Sequence, residues 1–429
     1  NVSDSNGSFN QFEGLGGNDI ITGNGSSRVI FANAIAGVTI TLGVGGAGSA
    51  HGTAAGDVAK VGTDTFTGGV NSATGSNSAD VYNASSYTSG FNAFQGNAGD
   101  DTISGNGSTQ IQFGNATSGV TITIGAGGNG MATGDASVGT DTFTGVNSAV
   151  GGNLADIFDA SAFVGFNQFQ GNAGNDSITG NGSTQLVYGA ATGSVTIDLA
   201  LGIADGDGSV GHDTFSGVNN VLGSNFNDTI LGGLAGETLN GGNGNDLIDG
   251  GGGNDTLIGG LGTDTFVYAT GGTDTVADFN RAQGDKLDVS GLSAIATFAD
   301  IQSRTTVSGG NTVINFGGGN SLTLTGVTSI QQSDFVFRTV TNGLSGADLL
   351  LGTEHSDSIF GLAGNDILKG FAGNDQLDGG TGRDVADYSD ATGGVTVDMA
   401  AGVVNGNASV GSDTLRTIET VRGTDFSDT

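Results

Sequence analysis

Apolar side chains recur at every ninth residue in two stretches of the chain, separated by glycine, asparagine and aspartate. From Gly232, four units run GGLAGETLN, GGNGNDLID, GGGGNDTLI and GGLGTDTFV, with Leu, Ile, Leu and Phe at the eighth place. From Gly343, five more run GLSGADLLL, GTEHSDSIF, GLAGNDILK, GFAGNDQLD and GGTGRDVAD. The last three residues of each unit suit a short strand whose eighth side chain points into a core. The pattern therefore predicts short stacked strands joined by tight turns.

The geometry of this unit predicts where its aspartates lie. Glycines at the first, second and fourth places allow positive φ, so the first six residues should turn tightly and aim carbonyl oxygens inward. Two units make a coil of about 18 residues, and residues about 18 apart should stack on one edge, roughly 4.8 Å from each other. We expect such coils along the chain outside residues 264–337. In the first array, one edge should carry Asp228, Asp246 and Asp264, and the other edge Glu237 and Asp255. In the second array, one edge should carry Asp348, Asp366 and Asp384, and the other edge Asp357 and Asp375.

Longer repeats flank the nine-residue arrays. The clusters GLGGND, GNAGDD and GNAGND end at Asp19, Asp101 and Asp176, and the phrases VGTDTF and GVTIT recur in a constant order. We therefore expect long modules at 1–82, 83–158 and 159–230, a nonapeptide array at 231–267, a spacer at 268–342, a second array at 343–387 and a partial module at 388–429. Phe12, Phe94 and Phe169, and likewise Phe66, Phe143 and Phe215, are predicted to form stacked core rungs. A short helix is predicted only around residues 297–303.

Composition and charge narrow the chemistry. Glycine supplies 85 of the 429 residues, whereas proline, cysteine and tryptophan are absent, which excludes collagen, disulfide frameworks and thiolate metal sites. The 43 acidic and 10 basic residues give a net charge of −33, which repels nucleic acid and anionic lipid. No apolar run is long enough to span a membrane. A chain with so many carboxylates needs a cation in order to compact, and a divalent metal is the candidate.

A cation between two stacked turns would meet one carboxylate from each turn and several main-chain carbonyls, and such an all-oxygen site suits Ca²⁺ better than Mg²⁺. The candidate ligands are Asp228, Asp246, Asp255, Asp264, Asp348, Asp357, Asp366, Asp375 and Asp384 in or beside the arrays, Asp19, Asp101 and Asp176 in the isolated clusters, and the glycines Gly242, Gly244, Gly251 and Gly253. The alternative is that these Asn-Asp-Gly phrases are simply good turn formers. That alternative has more weight for the isolated clusters than for the arrays.

The arrays resemble the RTX (repeats-in-toxin) nonapeptide GGxGxDxUx, a calcium-binding repeat. The resemblance implies an all-β fold, a right-handed parallel β-roll or β-solenoid with calcium ions bound in the glycine-rich turns. Glu237 in GGLAGE and Asp357 in GTEHSD depart from the consensus. The long modules are similar to repeats of RTX adhesins and other giant exported proteins, and residues 264–337 resemble the segment that caps the β-roll of serralysin-type secreted proteases. This family implies secretion, by a type I system.

No catalytic residues are predicted, because the HExxH and GxSxG signatures are missing and His51, His212 and His355 lie in turn-like sequence. We expect a non-enzymatic extracellular or cell-surface protein, part of a surface layer, filament or long adhesin, which folds as calcium fills its turns. The alternative is the non-catalytic carboxyl-terminal region of a secreted hydrolase. Both ends fall within a repeat, so the expected partners besides calcium are flanking repeats of a longer chain or copies stacked head to tail. Nucleic acid is not an expected partner, and no surface or glycan target can be predicted from the sequence.

Overall fold

The computed structural model describes residues 2–3, 9–54, 56, 60–269, 271–292 and 294–429. The chain divides into two compact units, residues 1–246 and residues 247–429. Short parallel strands dominate each unit, because alternate side chains along each strand are apolar and point into one core. The predicted all-β parallel β-roll is confirmed.

The described part of the first unit is built mainly of strands, with short 3₁₀ turns at Val44–Gly46 and Ala126–Gly128. Its strands are Val2–Ser3, Asn10–Phe12, Ile20–Ile30, Val38–Leu42, Ala47–Gly52, Thr63–Thr74, Val81–Asn83, Asn92–Gln95, Thr102–Gln112, Thr121–Ile124, Gly130–Thr133, Thr140–Val150, Ile157–Asp159, Asn167–Gln170, Ser177–Val187, Thr196–Asp198, Ile203–Asp205, His212–Leu222, Thr229–Leu231 and Thr238–Asn243.

Parallel rungs form the core of the first unit, as predicted. Ile103 pairs in register with Phe143, and Ile178 pairs with Phe215. Phe158 is fully buried and stacks on Phe169 with the ring centroids 4.6 Å apart. The side chains of Phe66, Phe94, Phe143, Phe169 and Phe215 are all buried, whereas Phe12 is half-buried. The aromatic repeats are therefore core residues, which the regular spacing had indicated.

The long modules differ from the predicted coil of about 18 residues. Each contains an antiparallel excursion, for example Thr121–Ile124 against Gly130–Thr133, which in turn pairs with Thr140–Val150. As a result, equivalent residues in neighbouring coils are 37 to 45 positions apart where the excursion intervenes. The uniform coil length was a wrong prediction for these modules, because a hairpin strand and a coil strand show the same alternation of apolar residues.

The second unit has the 3₁₀ turn Gln332–Asp334, the helix Phe298–Ser303 and many short strands. These strands are Leu247–Asp249, Thr256–Leu261, Thr265–Val267, Thr273–Val276, Lys286–Asp288, Thr305–Ser308, Asn311–Gly317, Asn320–Leu324, Phe335–Val336, Thr339–Asn342, Leu349–Leu351, Asp357–Phe360, Ala363–Gly364, Ile367–Lys369, Gln376–Asp378, Thr381–Gly382, Val385–Asp387, Thr396–Asp398, Val403–Asn405, Ser412–Arg416 and Thr420–Arg422.

In the second array the 18-residue register holds. Leu350 pairs with Leu368, and Ile359 pairs with Leu377. These eighth-place side chains form one buried cluster. The predicted helix is also confirmed, since Thr297 caps Phe298–Ser303 in a capping box.

Two bulky residues in this array occupy the left-handed region, Leu362 at φ 70° and Phe371 at φ 68°. That conformation costs a residue with a Cβ roughly 1–2 kcal/mol. Because Leu362 is 53% exposed, little burial is lost when its side chain is removed. We therefore expect Leu362→Gly to stabilise the calcium-loaded protein by about 1 kcal/mol in urea denaturation.

The matched control for this substitution is Leu344→Gly. Leu344 holds the same second place in its turn and is exposed, but its φ is not positive. Glycine there only adds freedom to the unfolded chain and should cost about 0.5–1 kcal/mol. Equal effects of the two substitutions would contradict the strain assigned to Leu362.

Candidate metal centre

The sixth-place aspartates form ladders in which a main-chain amide of one coil donates to a carboxylate of the next. Asp348 N–H donates to Asp366 Oδ1 at 2.8 Å, and Asp366 N–H donates to Asp384 Oδ1 at 2.8 Å. On the other edge Asp357 N–H donates to Asp375 Oδ1 at 2.9 Å. The predicted stacking of these five aspartates is confirmed. In the first unit, Asp228 N–H donates to Asp246 Oδ1 in the same way.

Sequence reasoning missed several members of these ladders. Asp101 N–H donates to Asp141 Oδ1, and Asp176 N–H donates to Asp213 Oδ1, both at 2.9 Å. Two missed members are donors, since the amides of Asp80 and Asp156 donate to the predicted residues Asp101 and Asp176. The other missed members are acceptors: Asp64 for Asp19, Asp274 for Asp255, Asp285 for Asp264, Asp413 for Asp375 and Glu419 for Asp384. The phrase G-x-D-x-F did carry a signal, since it reproduces the fourth to eighth places of the nonapeptide.

Glycine at the first place serves a purpose other than the predicted positive φ. A Cβ on Gly171 would stand 1.8 Å from Asp176 Oδ2, and a Cβ on Gly361 would stand 2.5 Å from Asp366 Oδ2. Neither glycine has positive φ, in contrast to the second and fourth places, where Gly242, Gly244, Gly251 and Gly253 have φ of 105°, 132°, 72° and 130°. The first-place expectation was wrong: the glycine is required there because the carboxylate occupies the space of a side chain.

The second carboxylate oxygen is buried without a hydrogen-bond partner in a set of these turns. Within the described part of the chain, the set includes Asp19, Asp64, Asp101, Asp176, Asp366, Asp375 and Asp384, each through Oδ2. A main-chain carbonyl lies close by, since the Cβ position of Gly361 that is 2.5 Å from Asp366 Oδ2 is also 2.4 Å from the carbonyl oxygen of Gly379 in the next coil. Buried anionic oxygens beside carbonyls need a cation, and oxygen ligands of both kinds suit Ca²⁺. The donor set therefore fits calcium.

The remaining predicted ligands differ in their contacts. The carboxylates of Asp228, Asp348 and Asp357 each accept a hydrogen bond at 2.5–2.6 Å from an amide of their own turn. Asp255 and Asp264 belong to ladders of the second unit, and their amides donate to the next carboxylate at 3.0 and 3.1 Å. Glu237 is buried and accepts from the amide of Ala235. The metal-ligand role of all these residues stays a prediction.

Burial and mutual repulsion act on the ladder carboxylates. Loss of hydration, together with the neighbouring charge of Asp141, raises the pKa of Asp101 to about 9. Burial and the charge of Asp213 raise the pKa of Asp176 to about 8. Asp375, beside Asp413, has a pKa raised to about 8 for the same reasons. Without a cation, each of these sites favours a proton over a bare charge.

We expect the calcium-free protein to lose stability as the pH rises. The pKa values of Asp101 and Asp176 are raised from 3.8 to about 9 and about 8, so the folded state binds more protons than the unfolded state between these limits. These groups contribute their full stabilisation below the pKa of the unfolded state, and this contribution is lost as the pH rises through the pKa values of the folded state. In calcium-depleted buffer the melting temperature should fall as the pH rises from about pH 5, until little folded protein remains to melt at neutral pH.

Saturating calcium is the control for this pH series. The ion replaces the proton at the carboxylates, so the melting temperature should become much less dependent on pH. A melting temperature that rises with pH in the depleted buffer would contradict the raised pKa values.

Other chemistry is sparse in the described residues. No group of three or more His, Asp or Glu side chains is arranged to hold a metal in the described ranges, so a site here combines carboxylate pairs with main-chain oxygens. Two histidines contact aspartates: His212 Nδ1 lies 2.6 Å from Asp205 Oδ1, and His355 Nδ1 lies 2.8 Å from Asp288 Oδ2. Across the part of the chain that is described, no helix has the length and apolar character to cross a membrane.

One comparison with known families agrees with this geometry. The family model described as the RTX calcium-binding nonapeptide repeat (4 copies) matches residues 4–30, 86–109, 161–191, 231–266 and 351–386. Among solved structures, the chain is similar to the extracellular lipase LipA from Serratia marcescens, at 16% identity and a TM-score of 0.18 over 62% of this chain. The similar region spans 40% of the length of that lipase. No curated protein matches. The chain therefore contains RTX calcium-binding nonapeptide repeats in these five matched segments, and the β-roll and the carboxylate ladders fit such repeats.

Proposed function

We propose that this protein is a secreted, non-catalytic structural protein whose β-roll is stiffened by calcium and which forms part of a cell-surface layer, extracellular filament or adhesin. The observation that carries the proposal is the stacking of buried carboxylates with unpartnered oxygens along both units. Such an arrangement is unstable alone and becomes a rigid scaffold when cations bridge successive turns.

The distribution of charge supports the same function. No lysine or arginine occurs between residues 61 and 280. This region therefore contains no lysine or arginine side chain that could neutralise its aspartates. Calcium outside cells reaches millimolar concentrations, at which weak extracellular sites fill. A chain kept loose by repulsion at low calcium and compacted at high calcium suits export in an unfolded state.

The test of this role is a chelator wash of intact cells that make the protein. An antibody against the chain should find it in the surface fraction, and EGTA in the wash should release it, because loss of calcium loosens the roll. A wash of equal ionic strength containing magnesium should leave it in place. Recovery of the protein from the cell interior would contradict the proposed surface role. Release of the protein together with a hydrolase activity carried on the same polypeptide would instead favour a region of a secreted hydrolase.

A further inference from the structure

The turns that end in a sixth-place aspartate have two backbone conformations, distinguished at the second place. In one set, which we name open turns, the second residue has positive φ. The open turns end at Asp19, Asp101, Asp176, Asp246, Asp255, Asp264, Asp366, Asp375 and Asp384, and their second residues are Leu15, Asn97, Asn172, Gly242, Gly251, Gly260, Leu362, Phe371 and Gly380. In the other set, which we name closed turns, φ is not positive. The closed turns end at Asp80, Asp156, Asp228, Asp348, Asp357 and Asp428.

In closed turns the carboxylate caps its own turn. The amide of the second residue donates to Oδ2 of the aspartate four positions later, as Ser76 does to Asp80 at 2.7 Å and Gly152 does to Asp156 at 2.7 Å. The same bond occurs at 2.5–2.8 Å in the turns that end at Asp228, Asp348, Asp357 and Asp428. The Oδ2 atom of a closed turn is therefore already satisfied by the protein.

In the open turns that end at Asp101 and Asp176, positive φ at the second place accompanies the loss of that bond. Asp101 and Asp176 are each 1% exposed, and Oδ2 of each is buried without a hydrogen-bond partner in the described structure. The left-handed conformation is held from outside the turn, since the side-chain amide of Asn172 donates to the carbonyl of Gly151 at 3.0 Å. Asn97 makes the equivalent bond to Gly75.

The two kinds of turn follow the same order in the ladders that contain Asp80 and Asp156. The first carboxylate belongs to a closed turn and accepts the amide of a valine, as Asp156 does at 2.7 Å from Val120, the residue before the strand Thr121–Ile124. The next carboxylate, Asp176, belongs to an open turn. In these ladders a closed turn lies where the neighbouring segment contributes an amide and no carboxylate, and an open turn lies where two carboxylates are stacked.

We propose that this backbone difference sorts the turns by ligand: open turns bind Ca²⁺, and closed turns bind none because their aspartates act as turn caps. The inference rests on the proposed calcium-binding function and specifies its sites. It includes the isolated clusters at Asp19, Asp101 and Asp176 among the calcium sites, although their second residues are leucine and asparagine. It removes Asp228, Asp348 and Asp357 from the set of calcium ligands, although they hold the sixth place. Asp357 is the most demanding case for the rule, because its Oδ2 caps the turn while its Oδ1 is buried without a hydrogen-bond partner in the described structure.

The test compares two triple variants of the full chain that differ only in the kind of turn. Asp101→Asn, Asp176→Asn and Asp366→Asn remove three open-turn carboxylates, and Asp80→Asn, Asp156→Asn and Asp348→Asn remove the closed-turn carboxylates one rung earlier in the same ladders. Calcium per chain is measured by elemental analysis after desalting in saturating calcium. The open-turn triple should bind about three fewer ions than the parent, and the closed-turn triple should bind as many as the parent.

A second set of three variants keeps every carboxylate, so its result does not depend on whether the triple variants fold correctly. Asn172→Val disfavours positive φ at an open turn and should remove one ion in native mass spectrometry, whereas Asn172→Gly should restore it. Gly152→Ala, at the same place of a closed turn, is the control. Equal losses of calcium from the two triples, or no loss from Asn172→Val, would overturn the sorting rule. A parent protein that binds no calcium would instead overturn the proposed function.

Discussion

Removal of calcium should abolish most of the β-structure of this protein. Burial leaves carboxylate oxygens such as Asp101 Oδ2 and Asp375 Oδ2 without partners in the described structure, and the glycine-rich chain loses much entropy on folding. Each site filled at a hundredfold excess over its Kd contributes about 2.7 kcal/mol. Several such sites together exceed the 5–15 kcal/mol by which folded proteins are typically stable.

The measurement for this expectation is far-ultraviolet circular dichroism of the whole chain during a calcium titration. The calcium-free sample at neutral pH should show a largely disordered spectrum, and the β-signal should appear cooperatively as calcium is added. Magnesium at the same concentration should restore much less, because it gives up its water reluctantly. Equal β-content with and without calcium would show that folding is independent of the metal.

Substitution of a first-place glycine should be nearly as damaging as loss of an ion. A Cβ on Gly171 would stand 1.8 Å from Asp176 Oδ2 and 3.0 Å from its carboxyl carbon, so Gly171→Ala must displace the carboxylate. Strain of this kind costs about 1–3 kcal/mol, and the displaced carboxylate should also lose its place in any calcium site. We expect a total loss of about 2–4 kcal/mol in denaturation at saturating calcium.

Gly114→Ala is the matched control, because no atom lies within 4 Å of its Cβ position and its φ is not positive. That substitution should change the unfolding free energy by no more than about 0.5 kcal/mol. If Gly171→Ala proved as mild as the control, the close approach of the Asp176 carboxylate to this glycine would be refuted.

The nine-residue period predicted the parts of the fold that depend on local repetition. It placed Leu350 over Leu368 and Asp348 over Asp366, because a regular coil stacks residues two units apart. The helix at Phe298–Ser303 was also predictable, since Thr297 and Asp300 form a capping box. Local sequence is sufficient for features of this kind.

Other features depend on contacts between distant parts of the chain. The carboxylates of Asp19 and Asp64 belong to one ladder although 45 residues separate them, and no short period connects them. The positive φ of Phe371 could not be predicted from the sequence, because phenylalanine rarely adopts that conformation. Whether a sixth-place aspartate caps its own turn therefore depends on the coil packed beside it, which a single nonapeptide does not encode.

The amide-to-carboxylate ladder also has a direction along the chain. In the bonds from Asp80 to Asp101 and from Asp101 to Asp141, the donor precedes its acceptor in sequence. A given turn can therefore be completed only when the coil that follows it in sequence is in place. Each coil then acts as the template that fixes its amino-terminal neighbour, so we expect the roll to order from its carboxyl-terminal side when calcium is added.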